Sequence, residues 1–251
     1  MNFKKCAIII FIVLSFILCI SAVSAENSTA VASDDSQANV AVDSVATSAQ
    51  TTTLNPKIDA DVDADSVVVP HKKKAYFKVK VVDDDKEKRV KNFKLKVKVY
   101  TKSKSKSNII KTNSKGIAKF NTKVLKRGDH KVVVTDADKV NKFKKVYHIF
   151  VGKKHQTTLK PDTYKKLKNK DVLRVYTKYD DDDKELKVAF KGIAKKTNVI
   201  KAVFFLKNKA TGEVIKKVDF TDFEHGKWQY PDGEYSNRFT ALKVKITYVT
   251  I

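Results

Sequence analysis

The 251-residue chain carries 52 Lys and Arg against 28 Asp and Glu, a formal net charge of +24. Its two cysteines, Cys6 and Cys19, both lie near the N-terminus, which excludes a disulfide scaffold, a cysteine zinc site and a cysteine nucleophile from the rest of the chain. So basic a balance points to polyanionic partners and says nothing about fold.

Taken in order, Met1–Lys5 is a short basic segment, residues 6–20 are an apolar run, and Ser21–Ala25 is rich in small residues ahead of Glu26. That order reads as a secretory signal peptide cleaved after Ala25. The apolar run is short against the roughly 20 residues of a membrane span; retention as an anchor is the alternative, and the only membrane association expected. Leu18 ahead of Cys19 does not fit a lipobox.

Residues 26–66 set Lys57 against Glu26 and seven Asp, with no aromatic and no Gly. Such a stretch buries too little apolar surface to offset its ordering entropy, so it reads as a disordered acidic spacer. Asn27, in the one glycosylation sequon, lies there. Asp59, Asp61, Asp63 and Asp65 alternate like the opening of an EF-hand loop, but Ala64 stands where that loop needs Gly and Pro70 where it needs Glu, so the signature fails. Removing the +2 of residues 1–25 and the −7 of residues 26–66 from the total leaves +29 on residues 67–251.

From Val67 onward the pattern has period two. Phe77, Val79 and Val81 alternate with Lys78 and Lys80; Phe93, Leu95, Val97 and Val99 alternate with Lys94, Lys96 and Lys98; Leu242, Val244, Ile246 and Tyr248 alternate with Lys243, Lys245 and Thr247. Alternation of this kind marks strands buried on one face. Short strands separated by Gly, Asn and Asp turns predict an all-β protein of two β-sandwiches. The boundary is placed in residues 152–171, giving domains at 67–152 and 153–251, each of ordinary size.

Residues 109–139 carry Thr112, Asn113, Gly116, Ala118 and Phe120, then Gly128, His130 and Val132, preceded by Val90, Lys91 and Phe93. This spacing resembles the bacterial-type, invasin-like Ig-like repeats, and more closely the Ig-like repeats of archaeal, methanogen adhesin-like surface proteins. The turn Asp85–Lys88 departs from the Gly-containing turn usual there. The resemblance covers about 67–151 and implies an Ig-like first domain, a cell-surface or secreted location and an adhesive or wall-associated role. On the residues alone, Gly116 suits a turn with positive φ. The second domain belongs to no family that its residues name.

Four groups of residues are candidates for function. Lys72, Lys73 and Lys74, Lys94, Lys96 and Lys98, and Lys142, Lys144 and Lys145 could hold an anionic cell-wall polymer or surface polysaccharide, or another surface protein. Lysines at alternate strand positions are about 7 Å apart, within a Debye length of about 8 Å, so they repel until an anion relieves them; the structural account is that exposed lysines discourage edge pairing. Trp228, Tyr230 and Tyr235 could stack on a glycan, or cover the sandwich. Asp180, Asp181, Asp182 and Asp183 form a turn or, alternatively, a Ca2+ site. Nucleic acid is not favoured, because most aromatics have core parity. No catalytic motif is present, so the chain reads as a non-enzyme. A noncovalently attached adhesin-like protein is the leading reading; a calcium- or carbohydrate-binding module centred on the second domain is the alternative.

Overall fold

In the computed structural model, which describes residues 53–251 apart from 103, 181, 183, 184 and 192–194, the period-two segments are strands. The signal segment, Asn27 and the spacer up to residue 52 lie outside the described residues. The first half contains β1 (Ala60–Ala64), β2 (Val67–Pro70), β3 (Tyr76–Asp83), β4 (Lys88–Arg89), β5 (Lys94–Thr101), β6 (Lys104–Lys111), β7 (Ile117–Asn121) and β8 (Gly128–Asp136). β3 sits between β1 on one side and β7 with the short β4 on the other, all antiparallel. This small sheet faces β6, β5, β8 and the strand that follows, β9 (Lys144–Leu159). Between them lie Phe77, Val79, Val81, Phe93, Leu95 and Val97, all fully buried. These are the positions whose alternation with lysine predicted burial.

The second half contains β10 (Tyr164–Lys166), β11 (Val172–Asp180), β12 (Glu185–Lys191), β13 (Thr197–Asn208), β14 (Val214–Phe220), β15 (Asp222–Glu224), β16 (Lys227–Gln229), β17 (Gly233–Ser236) and β18 (Phe239–Thr250). A sheet of order β10-β11-β12-β17 packs on β9, β18 and β13 through a second core that includes Leu173, Val175, Leu186, Val188, Phe204 and Ile246. The all-β, two-sandwich fold class is therefore as the alternation indicates. Leu242 departs from its expected parity: β18 shifts register against β13 between Lys243 and Ala241, so Leu242 is bulged out and 39 % exposed.

One boundary differs from the sequence reading. Residues 53–66 are not spacer. β1 is an edge strand whose Val62 is buried in the first core, with Ile58, Ala60 and Ala64 packed beside it, while Asp61 and Asp63 face solvent. The alternating aspartates are thus the outer face of a strand, and acidic side chains on an edge deter further pairing. Ahead of β1, Asn55 is buried and its side-chain amide donates to Lys94 O at 2.8 Å and to Asp136 Oδ1 at 2.6 Å.

The boundary between the sandwiches, placed at 152/153, falls inside a continuous strand. β9 runs unbroken through residue 152: its first part pairs with β8 from Lys144 to Val151, its second with β18 from Lys153 to Leu159. Ile149 and Val151 belong to the first core and Leu159 to the second, so the two small sheets stack on one face of a single long sheet, in the order β14-β13-β18-β9-β8-β5-β6. Gly152 marks the joint. A Cβ there would lie 2.7 Å from the Thr250 carbonyl oxygen, so the absence of a side chain permits the close approach of β18.

Candidate polyanion-binding surface

The lysines singled out from sequence occupy three separate places. Lys72, Lys73 and Lys74 are exposed in the turn after β2, where the His71 N–H donates to Gly152 O at 2.8 Å. Lys144 and Lys145 begin β9 and Lys142 lies just ahead of it, all three exposed. On β5, Lys96 stands opposite Thr135, and Thr135 opposite Lys144, so Lys96 and Lys144 flank one row of the outer face two strands apart. Lys98 lies with Nζ 5.1 Å from the Tyr100 ring centre. Val133, pointing outward in the row of Lys98 and Val146, is only 7 % exposed; lysine stems are long enough to cover such a position while their heads stay wet. Lys94 is a correction to the ridge read from sequence. Its ammonium donates to Asp138 Oδ2 at 3.1 Å and to Thr53 O at 2.6 Å, so it is committed to holding the N-terminal segment.

The aromatic candidates do not form an exposed platform. Tyr230 and Tyr235 pack against the second core, with Tyr235 tilted on Phe204 at 6.0 Å between ring centres. Burial, with Asp219 and Asp232 nearby, pushes the Tyr235 hydroxyl well above its ordinary pKa. Trp228 lies on the β15–β16 hairpin, which crosses onto the outer face of the joint. Its ring meets Phe150 edge-on at 6.4 Å and Phe223 at 4.9 Å, and Val68, Phe150 and Val249 complete this small cluster. Phe223 stacks on His148 at 4.3 Å. Trp228→Ala is expected to destabilise the protein by about 1–3 kcal/mol, less than for a fully buried Trp, and to open the hairpin to trypsin at Lys227; limited proteolysis with unchanged cleavage would contradict the docking.

The acidic runs lie at turns. Asp83 ends β3 and accepts from Lys86 Nζ at 2.9 Å. Asp180 ends β11 opposite Glu185 of β12, and Asp182 lies in the turn between them; Asp181 and Asp183 fall outside the described residues. Among the described residues, no three His, Cys, Asp or Glu side chains come close enough together to hold a metal ion.

What sequence reasoning missed is a pair of basic clefts at the joint, on the face opposite the Trp228 hairpin. One, of about 760 Å³, is lined by Lys102 in the β5–β6 turn, Lys104 at the start of β6, Lys126 and Arg127 ahead of β8, and Lys196 ahead of β13. The other, of about 670 Å³, is lined by Lys153 on β9 and by Lys165, Lys166 and Lys168 around β10. Ile251 lines both. His155 sits in the second, stacked on Tyr248 at 5.2 Å and with Nε2 3.1 Å from Thr250 Oγ1. Burial, then the positive charges of Lys153, Arg127, Lys165 and Lys168, lower its pKa. Arg127 belongs to the first cleft and acts on a group in the second, so one field spans both. The cations lie in five segments of the chain, and no local pattern announces their convergence.

No protein family matches the chain, and no curated protein does. Solved structures with which it shares a distant likeness include a mutant of Salmonella alpha-2-macroglobulin (9 % identity, TM-score 0.32, 78 % of this chain and 15 % of that one). They include the FN1–FN3 domains of chicken CNTN1 (11 %, 0.30, 77 % and 66 %) and the BSP domain of a biofilm associated protein (10 %, 0.26, 70 % and 29 %). The chain thus spans less than two thirds of the length of each. The class of protein is defined by the sheets themselves: an all-β protein of two β-sandwiches built on one continuous sheet.

Proposed function

We propose that this is a secreted or cell-surface, adhesin-like interaction protein, of the kind found among methanogen Ig-like surface proteins, which attaches noncovalently to anionic envelope polymers or glycans and performs no catalysis. The carrying observation is the uneven charge: +29 on residues 67–251, displayed on rigid sheets. Lys86, Lys94 and Lys187 are held in ion pairs with carboxylates, but Lys96, Lys144 and the lysines of the two clefts point to solvent. A folded surface that keeps so much like charge within a Debye length gains from any anion that relieves the repulsion. Retention at a surface then rests on charge, and the apolar N-terminal segment serves export.

The purified protein should bind an immobilised acidic polysaccharide, polygalacturonate, and release it as salt rises. Affinity is expected to weaken roughly tenfold or more between about 50 mM and about 500 mM salt, because screening shortens the range of each charge. Binding that is absent at low salt would refute the reading.

A further inference from the structure

We propose that the joint between the two sandwiches is the binding site for a linear acidic polysaccharide, carboxylated or sulfated, which runs from the cleft of Arg127 into the cleft of His155. The site rests on the functional reading above and narrows it to one place and one ligand class.

Four observations converge. The first is density: five Lys and Arg in one cleft and four in the next. The one acidic side chain among the lining residues is that of Asp129. It is turned to the other face, with Oδ1 3.1 Å from His148 Nδ1 and Oδ2 3.4 Å from Trp228 Nε1. The hairpin that pins the joint from outside therefore also draws this acidic side chain away from the clefts.

Second, the cations come from both sandwiches and from positions as far apart as Lys102 and Lys196. Gathering them in a concave space costs repulsion, which the continuous β9 and β18 sustain. Third, the clefts have the size of ligand sites, about 300–1,000 Å³, and they adjoin, which suits a chain more than a compact anion. Thr101 and Thr250 add hydroxyls along the walls, able to exchange hydrogen bonds with sugar hydroxyls.

The fourth observation decides the ligand class. Eight of the nine cations are lysine, compact point charges that attract carboxylate, sulfate or phosphate without fixing its orientation, so the choice among polyanions rests on what surrounds them. The aromatic ring at the clefts, Tyr248, is buried beneath His155, so no platform is offered to a nucleic-acid base. A bilayer surface cannot follow a concave wall.

Calorimetry on the purified protein with oligogalacturonate and with dextran sulfate tests the assignment. Two variants of equal charge change are compared: K126E/R127E/K165E/K168E in the clefts, and K78E/K80E/K207E/K245E on exposed faces elsewhere. All eight positions are exposed, and melting curves confirm folding. The cleft variant is expected to lose about tenfold or more in affinity, as charge reversals act at short range, and the control variant far less. In the unsubstituted protein, the His155 imidazole, followed by NMR, should titrate at higher pH once oligogalacturonate is bound, since an anion offsets the cations around it.

Equal losses in the two variants, or an unmoved His155 titration in a protein that binds, would overturn the joint as the site while leaving polyanion attachment intact. No binding of either polysaccharide by the unsubstituted protein would overturn both. Tighter binding of a short single-stranded DNA or of phosphatidylglycerol vesicles, competing at the same variants, would keep the place and overturn the ligand class.

Discussion

Phe77→Ala and Phe204→Ala are each expected to lower stability by about 3–5 kcal/mol, and each to do so in a single transition of the whole described chain. Both rings are fully buried, one in each core. In a protein of two beads on a linker, each loss would stay in its own domain and the other would melt as before. Here β9 holds hydrogen bonds to β8 in the first half and to β18 in the second. Melting one sandwich frays the strand that the other needs and uncovers Phe150 and Val249 at the joint. Trp228, the chain's single tryptophan, lies at that joint and supplies the probe. Urea unfolding followed by its fluorescence should coincide with unfolding followed by far-UV circular dichroism, in both variants. Two separated transitions would show that the shared strand does not couple the halves.

Asp136→Asn is expected to cost about 2–4 kcal/mol, because a buried charged acceptor is replaced by a group that is half donor; at this chain length that lowers the melting temperature by roughly 10 °C. The carboxylate is buried. Its Oδ1 accepts from the Asn55 amide at 2.6 Å and the Asp138 N–H at 2.8 Å, and its Oδ2 accepts from the N–H and the amide of Asn141, both at 2.8 Å. Asn141 in turn binds Pro56 O and the Ile58 N–H. One carboxylate therefore fastens the segment that leads into β1. In the Asn variant the new amide would confront the two donors of Asn141.

The pH dependence follows from the same bonds. Burial pushes the Asp136 carboxyl up, but the hydrogen bonds from Asn141, Asp138 and Asn55 together pull its pKa below the ordinary 3.8. A carboxyl whose folded pKa is depressed stabilises the fold fully above its unfolded pKa and loses that contribution as pH falls through the folded value. The unsubstituted protein should thus lose more stability than Asp136→Asn between neutral pH and acid below 3.8. Parallel curves would mean that the carboxylate is not ionised in this role.

Much of the fold was legible because strand burial has a local period. Phe77, Val79, Val81, Leu95 and Val97 are recognisable as core from their neighbours alone. Gly116, read as a positive-φ turn, has φ of +67°, and Thr112, Asn113 and His130 prove to be structural. Thr112 Oγ1 donates to Val90 O at 2.6 Å and accepts from the Phe93 N–H, Asn113 Oδ1 accepts from Lys115 and Ile117 N–H groups, and His130 is buried between the Tyr100 and Lys126 carbonyls. The misreading of residues 53–66 came from averaging composition over a stretch whose acidic residues are real but whose Asn55 and Ile58 are anchored by Asp136 and Asn141, 81 and 83 positions away.

The lysines divide along the same line. Their number and their alternation with apolar residues belong to the sequence, as do the acidic turns and the absence of cysteine after residue 19. Pairing between sheets belongs to the tertiary structure alone, because hydrogen bonds between strands and close packing join residues with no fixed spacing along the chain. That pairing carried β9 unbroken across the boundary between the two sandwiches, consumed Lys94 and the Trp228 hairpin in holding the molecule together, and drew Arg127, Lys153, Lys165 and Lys196 into one basic joint.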